Sequence, residues 1–219
     1  MEFDLNQQNL SQRVVDYVKE YLLFSGKYKS GQKVSERELA KSLGISRSPI
    51  REAFKELKEE GLLIVIPRKG AYVANLSKRD IYELYLVRYW VESKLYEVMV
   101  SKKGLTEEIY DEYVQKADEL VTIAQSNIEY SEKVKEYSKK SLEFHIGLCS
   151  LARIETANKI LSRLHNQLRL AMVLDLKFAG CFVKNANLHY QILDALKKGD
   201  AEEAKHYLSE DMELYINNA

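Results

Sequence analysis

The sequence has little that would staple, kink or anchor a chain. Of 219 residues only two are cysteines, Cys149 and Cys181, too few for a disulfide framework. Only two are prolines, Pro49 and Pro67. No apolar run approaches the roughly 20 residues of a membrane helix; Leu62–Ile66 is typical of the longest. The start, Met1-Glu-Phe-Asp-Leu5, lacks the basic-then-apolar order of a signal peptide. H-E-x-x-H, a nucleophile elbow, a P-loop and a Gly-rich dinucleotide fingerprint are all missing, which counts against the common enzyme classes. Net charge is missing too, because 33 Lys and Arg balance 33 Asp and Glu. These absences predict a soluble, cytoplasmic protein. Taken globally, neutrality also argues against a nucleic-acid binder, which usually carries a basic excess.

An apolar share of 46% is enough for a packed core. Punctuation is uneven. Both prolines and Gly26, Gly31, Gly44, Gly61 and Gly70 precede Asn75. Beyond it run long helical patterns, broken near Gly104, Asn127, Arg153–Glu155, Gly180 and Gly199-Asp200. This predicts a small mixed domain over 1–75, a joint at 76–79, and an all-helical domain of about six helices over 80–219. The neutral total hides two unlike parts. Residues 1–75 hold 13 basic and 10 acidic side chains, and the remainder holds 20 and 23.

In the first part, Val14, Val15, Val18, Tyr21 and Leu22 share one helical face over Leu10–Phe24. Ser35-Glu-Arg-Glu38 has the form of a capping box and opens a second helix, which Gly44 stops. A third helix runs from about Ser46 to Glu60 with Ile50, Ala53, Phe54 and Leu57 inward. Two helices joined by a tight Gly turn form a helix-turn-helix. Leu62–Ile66 and Ala71–Ala74 then read as strands around Pro67-Arg-Lys-Gly70, a hairpin wing. Ser46, Arg47, Ser48 and Arg51 crowd the start of the third helix. Arginines there oppose the helix dipole, so stability alone does not call for them. A phosphate backbone or guanine edges would complete such a site.

Gly31-Gln-Lys-Val-Ser-Glu-Arg-Glu-Leu-Ala40, then Leu43-Gly-Ile-Ser-Arg-Ser-Pro-Ile-Arg-Glu-Ala53, then Leu57 to Gly61-Leu-Leu, resembles the winged-helix domain of GntR-family bacterial transcription regulators. The resemblance covers about residues 10–75. It implies double-stranded operator DNA as partner, with Arg37, Ser46, Arg47, Ser48, Pro49 and Arg51 at DNA-contacting positions. Gly70, beside Lys69, falls at the wing tip.

Ile81-Tyr-Glu-Leu-Tyr-Leu-Val-Arg-Tyr-Trp-Val-Glu92 resembles, more loosely, the opening of the FadR-type, or FCD, effector domain of the same family. That implies an all-α bundle that senses a small molecule and pairs with a second copy. It also implies a divalent metal such as zinc. His145 and His189 match two of the family's four ligand positions, Asp211 stands where a third histidine is usual, and Ser141 stands in place of an aspartate. Two imidazoles and a carboxylate form a known ligand set. Histidines hydrogen-bonded without metal are the plainer reading. Arg88, inside an apolar helix face, is an effector-carboxylate candidate, with a buried salt bridge as the plainer reading. Tyr85, Tyr89 and Trp90 read as core or dimer packing, Cys149 and Cys181 as buried small hydrophobes, and His206 as surface. The reading that results is a ligand-responsive, homodimeric repressor of metabolic genes. A metal-dependent enzyme using His145, His189 and Asp211 is the alternative.

Overall fold

A computed structural model describes residues 5–175 and 182–216. The chain divides into two compact units, Met1–Leu76 and Ser77–Ala219.

In the first unit, helix α1 (Leu5–Lys19) runs on into a π-helical turn over Glu20–Phe24. Strand β1 (Lys33–Val34), helices α2 (Glu36–Leu43) and α3 (Arg47–Glu59), and strands β2 (Leu63–Ile66) and β3 (Gly70–Val73) follow. The antiparallel sheet has the order β1-β3-β2, pairing Leu63 with Val73 and Val34 with Ala71. Local chemistry sets these ends. Ser35 Oγ accepts from the Glu38 N–H at 3.3 Å and starts α2. Gly44, at φ 67°, ends it in a Schellman turn, with the Ile45 N–H bonded to the Ala40 carbonyl at 3.2 Å. Val15, Val18 and Leu22 of the N-terminal helix pack with Leu39, Ile50, Phe54 and Leu57 into one core. Burying each such side chain contributes about 2 kcal/mol.

The second unit is helical among the described residues. It comprises α4 (Lys78–Ser101), α5 (Glu107–Gln125), α6 (Tyr130–Ser150), α7 (Glu155–Asp175), α8 (Phe182–Lys198) and α9 (Ala201–Ile216). The breaks fall where glycine, asparagine and the 153–155 turn place them, while Gly180 and Cys181 lie outside the described residues. Helix α4 begins inside the expected 76–79 joint. Ser77 caps it through a full capping box, its N–H on the Asp80 carboxylate at 2.8 Å and its Oγ accepting from the Asp80 N–H at 3.2 Å. Gly147, in mid-helix, is explained by close approach, since a Cβ there would lie 2.5 Å from the Tyr113 hydroxyl. Helix α4 packs against α6, α7 and α9, while α8 packs against α5 and α9. The inner faces of α4, α6, α7, α8 and α9 therefore converge. No helix among the described residues is long and apolar enough to cross a membrane.

Candidate nucleic-acid interface and buried polar centre

Helix α3 and the wing flank a cleft in the first unit. Eight lysine and arginine side chains line it, among them Arg37, Arg47, Arg51 and Lys69, and Gly70 lies at its edge. Glu36 is the one carboxylate among the lining residues. Arg47 and Arg51 stand one turn apart, with side chains 59% and 70% exposed. Ser46 is the exposed N-cap of α3, but its side chain makes no capping bond. Ser48 is exposed and Pro49 half-buried beside it, and neither lines the cleft.

The wing turn carries a conformational cost at a basic residue. The Lys69 N–H bonds to the Ile66 carbonyl at 3.0 Å, closing a turn with Pro67 first and Arg68 second. Arg68 takes φ 64°, where such a turn favours glycine. We expect Arg68→Gly to stabilise the unit by up to about 1 kcal/mol while weakening DNA binding. Denaturant melts beside duplex titrations check both signs, and a variant that gained in both would remove the functional reason for the strain.

The second unit encloses a polar centre. Arg88 and Glu92 come from α4, Ser141 and His145 from α6, His165 from α7, Asn185 and His189 from α8, and Asp211 from α9. Except for half-buried Ser141, all of these are buried. Arg88 Nε donates to Glu92 Oε1 at 2.8 Å, and its Nη2 lies 3.3 Å from Asp211 Oδ2. His165 Nε2 bonds to Glu92 Oε1 at 2.6 Å, and His145 Nδ1 lies 3.1 Å from Glu92 Oε2. The Asn185 amide donates to Asp211 Oδ1 and accepts from the Tyr137 hydroxyl. His189 Nδ1 faces the Asn185 carbonyl at 2.8 Å. A carbonyl only accepts, so Nδ1 carries the proton and Nε2 accepts from the Ser141 hydroxyl at 3.3 Å.

Charge is concentrated here at buried positions. Burial alone would push the Glu92 carboxyl up, but Arg88, with His145 and His165, holds it well below the usual carboxylate range. Burial, aided by the Arg88 charge, lowers His165 to about 4 despite its bond to Glu92. Burial and neighbouring His145 lower His189 to about 4. An unfolded histidine titrates near 6.5. Between those values the unfolded chain takes up a proton that the folded one refuses. The stability contributed by His165 is therefore complete above about pH 6.5 and declines as pH falls towards 4. The unfolding temperature should fall over that window, and His165→Gln should flatten part of the fall in a pH series of thermal melts. An equally steep fall in the variant would assign the acid sensitivity elsewhere.

The residues expected to hold a metal, His145, His189 and Asp211, already have neighbours within the protein. The three are neighbours, with His145 and His189 rings 4.9 Å apart and His145 Nε2 3.9 Å from Asp211 Oδ2. Asp211 and His189 are engaged by other protein groups, while both His145 nitrogens lack a hydrogen bond of good geometry. Among the described residues, no three His, Cys, Asp or Glu side chains are disposed to hold an ion. The Asp211 carboxylate is divided between Asn185 and the Arg88 guanidinium, the Ser141 hydroxyl is bonded to the nitrogen of His189 that would coordinate, and a fixed positive charge already stands in the centre. The Arg88 guanidinium is shared between two carboxylates. Burial, reinforced by the Glu92 charge, keeps the Cys149 thiol well above its usual range and hence unreactive. His206 is exposed and pairs with Glu210 at 3.1 Å. Tyr85 is core, whereas Trp90 is 63% exposed. Sequence reasoning missed Glu92, His165 and Asn185 as members of the centre. Glu92 had a signal in its i,i+4 spacing from Arg88, and His165 had none.

A winged helix with a basic cleft, in one chain with an all-helical domain, is the architecture of a DNA-binding transcription regulator. Residues 10–73 match the bacterial regulatory proteins of the gntR family, and residues 83–214 match the FCD domain. The chain therefore belongs to the GntR family of bacterial regulators, in the branch that carries an FCD domain. An uncharacterized HTH-type transcriptional regulator, YdhC of Bacillus subtilis (strain 168), is 26% identical over 196 residues, which is 85% of this chain and 81% of that protein. A probable D-xylose utilization operon transcriptional repressor of Paenarthrobacter nicotinovorans is 27% identical over 215 residues, 93% of this chain and 87% of that one. The solved structure of E. coli McbR/YncC is similar in fold, with a TM-score of 0.73 at 23% identity over 95% of both chains.

Proposed function

We propose that the chain is a cytoplasmic repressor that binds a near-palindromic operator as a homodimer and releases it when a small polar metabolite binds the FCD unit. The observation that carries DNA binding is the convergence of Arg37, Arg47, Arg51 and Lys69 on one cleft beside the start of α3. A dimer sets two such helices into successive major grooves, so half-site spacing follows from its two-fold symmetry. The effector acts through linkage, loosening the operator by the factor by which the operator loosens the effector.

The polar centre is the proposed sensing site. Arg88 Nη2, Glu92 Oε2, both His145 nitrogens and Asp211 Oδ2 have close charged or polar neighbours but no hydrogen bond of good geometry. A buried group in that condition gains from a ligand that aligns with it. The carboxylate-type effector expected for Arg88 would reach the guanidinium only by exchanging with Asp211. The test is operator selection from a random duplex pool, followed by a metabolite panel scored for release of the selected duplex. Enrichment of an inverted repeat is the expected result. A pool that stays random would refute the reading, and sedimentation of the free protein as a monomer would refute its dimeric form.

A further inference from the structure

Glu36 stands where a DNA-binding cleft would gain nothing from a carboxylate in affinity alone. It occupies the first position of α2, directly after the Ser35 cap. Its Oε2 atom lies 3.9 Å from Arg47 Nη2 and 3.8 Å from Arg51 Nε. One oxygen thus faces both arginines at the start of α3, amid the eight basic side chains of the cleft.

We propose that Glu36 sets the specificity of this cleft by restraining Arg47 and Arg51, so that base edges receive them and lone phosphates do not. A guanidinium carries five N–H donors in one plane. Arg51 turns its Nε towards Glu36, which leaves both terminal NH2 groups for the paired acceptors of a guanine edge. Arg47 turns only Nη2 inward. In the operator complex both arginines meet neutral acceptors on the groove floor and keep the carboxylate as a further partner. On a random duplex only the phosphates attract them. Following a phosphate means leaving Glu36 and setting its charge against another anion. The carboxylate therefore penalises sequence-independent binding, the part driven by phosphates, more than it penalises operator binding. A helix-dipole role at the N-terminus of α2 would leave this discrimination untouched.

Glu38, in the same first turn, supplies the control, since it lines no part of the cleft. The experiment measures the affinity of wild type, Glu36→Gln and Glu38→Gln for the selected operator and for a random duplex, across a salt series. For Glu36→Gln we expect random-duplex affinity to rise about threefold to tenfold, operator affinity to change by less than about twofold, and the ratio between them to fall. Glu38→Gln should leave the ratio at the wild-type value. Three results would overturn the proposal: equal shifts on both duplexes, the same loss of ratio in Glu38→Gln, or weaker operator binding with random binding unchanged, which would make Glu36 a reader of bases. A wild type that bound neither duplex would instead strike at DNA binding itself, which keeps the two failures distinguishable.

Discussion

Arg88→Met should lower the unfolding temperature of the helical unit by about 10 °C, equivalent to about 3–5 kcal/mol. The side chain is 4% exposed and lies between carboxylates that are 0% and 2% exposed. Removing the guanidinium leaves Glu92 and Asp211 buried with no fixed cation and with His165 and His189 neutral at pH 7. Methionine keeps most of the volume, so the loss reports charge rather than a cavity. A second substitution separates the partners. Glu92→Gln in the Arg88→Met background should recover part of the loss, because it removes one of the orphaned charges. Coupling energy in that cycle should exceed the one measured with Asp211→Asn, since the Glu92 contact is a hydrogen bond at 2.8 Å and the Asp211 contact a looser 3.3 Å. A shift of about 1 °C, the size of a surface substitution, would show that the centre is solvated and the network slack. A chelator separates this network from the metal expected beside it. An unchanged melting temperature in EDTA assigns the stability to Arg88, and a drop of several degrees assigns part of it to an ion on His145, His189 and Asp211.

How much of this was legible follows from how local each signal is. The helix-turn-helix is written in neighbours: Ser35 caps, Gly44 turns, and Ile50, Phe54 and Leu57 recur at helical spacing. The wing is written in Pro67 and Gly70. Helix α4 reaches into the expected joint because Ser77-Lys-Arg-Asp80, polar as it is, has the S-x-x-D spacing of a helix start. The polar centre joins residues from five helices, and that convergence depends on packing, which no short window encodes. The family resemblance grouped His145, His189 and Asp211, and they are neighbours in the fold. It gave no information about which cation Asp211 faces, because that depends on the direction of Arg88 from another helix. His165 sits among Leu161 and Leu168 like an ordinary core position.

Arg47→Ala with Arg51→Ala should weaken operator binding by about 100-fold to 1,000-fold while leaving the melting temperature within about 1 °C. Both side chains are mostly exposed, and their partner within the unit is the half-buried Glu36 carboxylate. Exposed pairs of that kind contribute little to stability, so the fold has almost nothing to lose. Binding has much to lose, because each arginine that reaches a base edge or a phosphate is worth about 1–3 kcal/mol. The salt series then tells the two kinds of contact apart. A phosphate contact releases counterions, so its loss reduces the slope of log affinity against log salt by about one. A guanine contact leaves the slope nearly intact and relaxes preference at one position of each half-site. Single variants read against the selected operator therefore assign each arginine separately. Unchanged operator affinity in the double variant, with the fold intact, would remove α3 as the recognition helix.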